Sequence, residues 1–401
     1  MKIPITKPCI DEGDKQYVLK PFETGWLVQG PYVADFEKKF AEYIGCRYAR
    51  AVSSCTTALH LALEVVGVGP GDKVLVPSFT YVASANAVEY TGAEVVLCDI
   101  ELKSFNIDLK QAERILAGGN GTRIKAIMPV NLFGLCSDLP GVMALASKYG
   151  LKVVEDSACG LGAWIGGKHS GTFGNAGCFS FHPRKSITTG EGGMVTTDDG
   201  NLAGRISELR DHGASKSDLA RHGSKSGGLL PGFSVRGYNY RMTDFQGALG
   251  VSQMGKVDYI LGKRRELARK YDTVLGNLEN FITPNVPEGY IHGYQSYVCV
   301  YRGSAKLEDL SVESIDALSE KRDAIMARLE ERGVTTRQGT HTVHNLEYYR
   351  VKYGFNPGDF INAYAADRLS ISLPLYPAMT DEEFNYVVTE VKDSLEKTRS
   401  K

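Results

Sequence analysis

From about residue 47 to residue 200 the chain alternates between two patterns. Short apolar runs rich in β-branched residues lie at 73–77, 94–98, 124–128, 152–155, 177–181 and 193–197. Stretches with helical spacing fit between them at 56–66, 83–90, 108–116 and 139–149. A strand with one wet face would alternate apolar and polar residues, whereas these runs are nearly continuous. They read as strands covered on both faces, which predicts an α/β fold with a mainly parallel sheet and helices on each side.

Beyond residue 210 the text changes. Residues 211–240 are polar and glycine-rich and read as a long mobile loop. A helix is expected from Thr243, and a long connecting helix over 261–275 leads into a second, smaller α/β domain. The division falls between a large domain at 1–260, which includes the N-terminal segment, and a small one at 261–401. The second domain holds strand-like text at 295–301 and 369–373, a helix around 319–332, and a last helix at 380–397. Thr380 and Glu383 have the spacing of a capping box. The full 401 residues suffice for two such cores.

Composition narrows the function. A net charge of −1 argues against nucleic acid as a partner, because binding a phosphate backbone requires a basic surface. No apolar run approaches the roughly 20 residues that span a bilayer. The opening Met1-Lys-Ile-Pro-Ile-Thr-Lys-Pro has no signal-peptide core, so a cytoplasmic protein without membrane contact is expected. Eight scattered cysteines include no C-x-x-C pair, which removes zinc and thioredoxin-like readings. His341 and His344 lack an apparent third ligand, so no metal is expected. Gly162-Ala-Trp-Ile-Gly-Gly-Lys168 imitates a nucleotide-binding phosphate loop, but His169 replaces the hydroxyl residue that such a loop requires.

Three residue types point to one chemistry. Lys185 follows a strand and precedes Thr188-Thr-Gly-Glu-Gly-Gly193, a tight turn into the next strand. Ser180 stands five residues before it, and Asp156 ends the apolar run 29 residues before it. An amine, a hydroxyl and a strand-end carboxylate suit pyridoxal phosphate: the amine for the Schiff base, the hydroxyl for the phosphate, the carboxylate for the ring nitrogen. For Asp156 a plain helix N-cap role competes, and Ser53-Ser-Cys-Thr-Thr, at the start of a helix, is either an anion site or an ordinary cap. Tyr81 follows another strand end, where it stacks on a flat ring or fills core.

Together these motifs resemble the DegT/DnrJ/EryC1/StrS family of pyridoxal phosphate-dependent sugar aminotransferases. The resemblance runs from Thr24-Gly-Trp through Ser53-Ser-Cys-Thr-Thr, Pro77-Ser-Phe-Thr-Tyr, Glu155-Asp-Ser-Ala, the Lys185 turn and Gly237-Tyr-Asn-Tyr-Arg to Leu373-Pro-Leu-Tyr-Pro. It implies the aspartate aminotransferase-like fold (fold type I), with a seven-stranded large-domain sheet, and a homodimer with shared active sites. By motif, Lys185 is the Schiff-base lysine, Asp156 the ring-nitrogen partner, and Ser180, Cys55 and Thr56 phosphate contacts, Cys55 through its backbone. Tyr81 stacks on the ring, Asn239 reaches the neighbouring subunit's phosphate, and His344 lies near the sugar. Cys159 stands where the family often has glutamine, and His182 where tyrosine is common.

The expected reaction moves an amino group, from L-glutamate by family resemblance, to a keto-deoxysugar carried on a nucleotide. A sugar dehydratase of the same family is one rival, and it would carry histidine in place of Lys185. A non-sugar ketone such as a cyclitol is a rival acceptor. A protein that only binds the cofactor is a rival of another class.

Overall fold

A computed structural model describes residues 1–118, 123–216, 219 and 231–399. The chain opens with helices α1 (Glu12–Thr24) and α2 (Pro31–Ile44). It then alternates: β1 (Tyr48–Val52), α3 (Cys55–Val65), β2 (Lys73–Pro77), α4 (Ala83–Tyr90), β3 (Glu94–Cys98), α5 (Leu109–Ala117), β4 (Ile124–Ile127), α6 (Leu139–Tyr149) and β5 (Lys152–Asp156). Two short strands follow, β6 (Trp164–Ile165) and β7 (Lys168–His169), then β8 (Ala176–Ser180), β9 (Gly193–Thr197) and α7 (Gly200–Leu209).

The main sheet has seven strands in the order β1-β9-β8-β5-β4-β2-β3. Neighbours from β8 across to β3 are parallel, and β9 runs antiparallel to both β8 and β1. Successive residues feed opposite cores, as the continuous apolar runs require. On β5, Val154 packs with α3 and α4 residues, while Val153 packs with α5 and α6. On β2, Val74 and Val76 take the first side and Leu75 the second. At the β8–β9 end, Phe179 and Met194 meet a third cluster built on Phe36 and Phe40 of α2.

The apolar pattern identifies six of these seven strands and passes over β1. In β1, Arg50 interrupts the apolar text and leaves too weak a run. Its guanidinium survives there because Nε donates to Ser207 Oγ (2.8 Å) and a second nitrogen donates to the Ala49 carbonyl (2.8 Å).

After the main sheet come α8 (Asp244–Met254) and α9 (Val257–Leu275), the latter starting four residues before the expected 261. A second sheet orders β10 (Phe281–Ile282), β12 (Tyr297–Tyr301) and β13 (Ser370–Leu373), all antiparallel, and β11 (Tyr290–Ile291) pairs with β6. Helices Val312–Glu331 and Asp381–Arg399 cover the second sheet. The first of these begins earlier than expected because a Ser311/Ser314 capping box starts it. The Thr380/Glu383 box forms as expected, with Thr380 N–H donating to Glu383 (2.9 Å) and Glu383 N–H to Thr380 (3.1 Å).

Ile3 packs in the core of this second sheet, tied by Ile3 N–H to the Gly333 carbonyl at 2.8 Å. Asp99, just past β3, accepts from the N–H groups of Asn362 (3.1 Å) and Ala363 (2.7 Å), joining the main sheet to the helix Ile361–Leu369. The stems of the expected mobile loop pair as bridges, Asp211 with Asn239 and Ala214 with Phe233; residues 217–218 and 220–230 of that loop lie outside the described residues. Among the described residues no helix is long and apolar enough to cross a membrane.

Candidate active site

Beyond the carboxyl ends of β2, β5 and β8 the chain surrounds a cleft of about 640 Å³. Parallel strands end there without a partner for their last peptide groups, and the following turns carry polar side chains into the gap. Cys55, Thr56, Tyr81, Asp156, Ser180 and Lys185 all line this one cleft.

Asp156 is the last residue of β5 and only 4% exposed. One carboxylate oxygen accepts from Ser84 Oγ at 2.7 Å, the other from the Ala158 N–H at 3.1 Å. Burial pushes its carboxyl above the ordinary range, while Ser84, Ala158 and the nearby Lys185 amine pull the other way. A buried carboxylate with two donors and spare lone pairs suits a cationic N–H partner.

Glu155 beside it plays another part. It faces away from the cleft and accepts from the N–H groups of Gly171 (2.6 Å), Phe173 (2.7 Å) and Gly174 (2.9 Å), and from Asn131 Nδ2 (3.2 Å). These bonds fasten the 171–174 loop beneath β5 and β8.

Helix α3 begins at the cleft. Ser54 caps it, with reciprocal bonds to Thr57 of 3.2 and 3.1 Å. The box takes the amides of Ser54 and Thr57. The amides of Cys55 and Thr56, the first two of the helix, have no acceptor within it and face the cleft with the positive end of the dipole. Gly193 of β9 makes this approach possible: a Cβ there would lie 2.3 Å from the Ser54 carbonyl oxygen and 2.7 Å from the Cys55 nitrogen. Ser180, the last residue of β8, pairs with Gly193 across the ladder and so sits beside the helix start.

Lys185 projects from a turn bound at both ends. Phe181 N–H donates to the Gly192 carbonyl at 3.0 Å, Thr189 N–H to the Phe181 carbonyl at 3.0 Å, and Lys185 N–H to the His182 carbonyl at 2.8 Å. Gly190 supplies the positive φ of 81° that closes the turn. The Lys185 amine donates to Cys159 Sγ at 3.2 Å. Burial drives that amine's pKa down, but Cys159, then Cys55 and Asp156, outweigh it and leave the pKa above the ordinary value.

Tyr81 is 62% exposed and presents its ring to the cleft, which rules out the core-filling role. Two other expected residues are not brought there. Asn239 is exposed in the loop stem, outside the cleft lining of this one chain. His344 is fully buried; Nδ1 lies 2.6 Å from Ser78 Oγ and Nε2 lies 3.3 Å from the Pro357 carbonyl. Both ring nitrogens are engaged and His344 does not line the cleft of this chain, whereas His341 does. A three-residue offset within an irregular segment decides which histidine faces inward, and the Thr80 N–H bond to the His341 carbonyl (3.1 Å) sets it.

Arg184, Gln295, Arg337 and Gln338 also line the cleft and carry no local motif that would mark them. Only the return of the chain through the second sheet brings the last three there.

The donor set fits pyridoxal phosphate: a helix start and a hydroxyl for the phosphate, a strand-end carboxylate for the ring nitrogen, and an amine for the aldehyde. Known proteins share this sequence and fold. Residues 8–392 match the model of the DegT/DnrJ/EryC1/StrS aminotransferase family. The chain is 36% identical over 391 residues to the spore coat polysaccharide biosynthesis protein SpsC of Bacillus subtilis, covering 98% of this chain and 96% of that protein. It is 35% identical over 396 residues to the GDP-perosamine synthase of Caulobacter vibrioides, covering 98% of each. Among solved structures, the aminotransferase TlmJ of Streptoalloteichus hindustanus superposes with a TM-score of 0.86 at 29% identity, over 99% of this chain and 100% of that one. That architecture is fold type I of the pyridoxal phosphate enzymes, and the chain belongs to the DegT/DnrJ/EryC1/StrS aminotransferase family, whose members are pyridoxal phosphate-dependent.

Proposed function

We propose that the protein transfers an amino group from L-glutamate to a keto-deoxysugar, the sugar being carried on a nucleotide. The observation that carries this reading is the Lys185 amine standing in one cleft with the buried Asp156 carboxylate and the open start of α3. Two relatives that are GDP-perosamine synthases, 35% and 31% identical, support the sugar acceptor. A cleft of about 640 Å³ has room for a sugar beside a cofactor.

Pyridoxal phosphate supplies the electron sink that lets an amine-bearing carbon lose a proton. In our reading Asp156 keeps its ring nitrogen protonated, and the Cys55 and Thr56 amides with Ser180 Oγ hold its phosphate. Tyr81 covers the ring. Lys185 Nζ would hold the cofactor and, once freed by the donor amine, would take and return the proton of the amine-bearing carbon. We place His341, not His344, toward the sugar. The exposed Asn239 serves the phosphate of a second subunit in a homodimer. A division near residue 260, at the start of the long helix α9, and a cytoplasmic location complete the proposal.

A dehydratase would need a group at this position that cannot displace and reform the link to the cofactor. Lys185 favours transfer. The test is spectroscopic. Purified protein with pyridoxal phosphate should be yellow, and L-glutamate should bleach it; a keto-sugar nucleotide should restore the colour, and a cyclitol ketone should not. Lys185→Ala should bind the cofactor without that response. Unchanged absorbance on adding glutamate to the wild type would refute amino transfer and favour a protein that only binds the cofactor.

A further inference from the structure

Cys159 has no part in the transfer proposed for Lys185, yet its sulfur is the hydrogen-bond acceptor of the Lys185 amine at 3.2 Å. Its position is rigid. Ser157 N–H donates to the Cys178 carbonyl (2.9 Å), and Gly160 N–H returns to the Ser157 carbonyl (2.8 Å). Gly160 is packed so closely that a Cβ would lie 2.5 Å from Ser170 Oγ. The turn that holds Asp156 therefore also holds this sulfur, and both face the cleft.

We propose that Cys159 is a positioning residue for Lys185: its sulfur accepts a hydrogen bond from the free amine and holds it over the end of β5. This rests on the amino-transfer reading only for its consequence in turnover.

The groups around the pair make the sulfur the fitting partner. Asp156, from the end of β5, contributes less to the amine's proton affinity than Cys159 does. Cys55, from the start of α3, is pushed well above the ordinary thiol value by burial and stays neutral. His182, on the Lys185 turn, is held low by burial and is neutral near pH 7, and Glu191 lines the same cleft. A hydrogen bond to the charged form of a group favours that form, so the sulfur holds the amine's proton affinity up.

Two measurements test this. In full-length protein freed of pyridoxal phosphate, acetylation of Lys185 by acetic anhydride is followed against pH by peptide mass spectrometry. In Cys159→Ala the midpoint should fall by about one pH unit or more, because the amine loses the contact that raises its proton affinity. Cys159→Ser, which keeps an acceptor, should stay close to wild type. Equal midpoints in wild type and Cys159→Ala overturn the proposal.

The second measurement uses the loaded enzyme. In Cys159→Ala holoenzyme the acid limb of the glutamate half-reaction should move to lower pH with KM unchanged, because the amine loses a partner that raises its proton affinity. An unmoved limb also overturns the proposal. A wild type silent toward glutamate, with the acetylation shift still seen in Cys159→Ala, would refute amino transfer while upholding the Cys159–Lys185 pair.

Discussion

Gly193→Ala should damage the cofactor site without touching any group that does chemistry. Gly193 lies in β9 between Val52 of β1 and Ser180 of β8, at the point where α3 begins. A methyl group there would sit 2.3 Å from the Ser54 carbonyl oxygen, 2.4 Å from its carbon and 2.7 Å from the Cys55 nitrogen. All three are backbone atoms, so no side-chain rotation relieves the clash. An ordinary contact begins near 3.4 Å, so the helix start must retreat by roughly 1 Å. Overpacking of this kind costs about 1 to 3 kcal/mol of stability. A displacement of about 1 Å in a positioned group can cost on the order of 100-fold in function. The expected result is a lower unfolding midpoint in urea. In the protein that remains folded, misplaced amides should weaken pyridoxal phosphate affinity by roughly 10- to 100-fold. Gly204→Ala, inside α7 with no atom within 4 Å of the added carbon, is the control and should be neutral or stabilising by up to about 1 kcal/mol. Wild-type stability and cofactor affinity in Gly193→Ala would mean that β9 and α3 do not meet as described.

Asp156→Asn keeps the shape of the carboxyl but removes its charge; the glutamate half-reaction should slow by about 100-fold or more, the effect of breaking a buried ion pair, while an unchanged rate would deny the carboxylate its role. Glu155→Ala leaves the buried Gly171 N–H and the half-buried Phe173 and Gly174 N–H groups without their acceptor, so chemical denaturation should show a loss of at least about 2 kcal/mol, at about 1 to 3 kcal/mol per buried donor. Two buried histidines give a pH dependence: burial lowers His169 to about 4 and His292 to about 3, so both are neutral in the fold. Unfolding lets them take up protons below their ordinary value near 6.5, so stability is full above that pH and falls as pH drops. The slope is at most about 1.4 kcal/mol per pH unit per histidine, ending near pH 4 for His169 and pH 3 for His292. His292→Phe should flatten the curve measured by urea unfolding between pH 7 and 5, and an unaltered slope would remove this explanation.

Much of the fold was legible because its causes are local. Apolar runs without polar alternation mark β2, β3, β4, β5, β8 and β9, since both faces of each are covered. Ser54 and Thr380 mark helix starts, because a capping hydroxyl and its amide lie within three residues of each other. The carboxylate, hydroxyl and amine of the cleft were legible for the same reason. Each stands at the end of a strand or on the turn after it, and parallel strands deliver such ends to one side of the sheet.

What the sequence determined by itself was therefore the class of fold, the family, and the residue types that meet at the strand ends. The tertiary structure decided what depends on segments far apart in the chain. It made β1 a strand by pairing it with β9, although Arg50 weakens its apolar run. It turned His341 toward the cleft and buried His344 against Ser78, a choice made by hydrogen bonds between segments more than 250 residues apart. It brought Cys159 against Lys185 and carried Gln295 and Arg337 to the same opening. Spacing along a chain fixes which way neighbours face only while helix or strand geometry lasts. Across turns and irregular segments that periodicity is lost, and only packing against distant parts of the molecule sets where a side chain points.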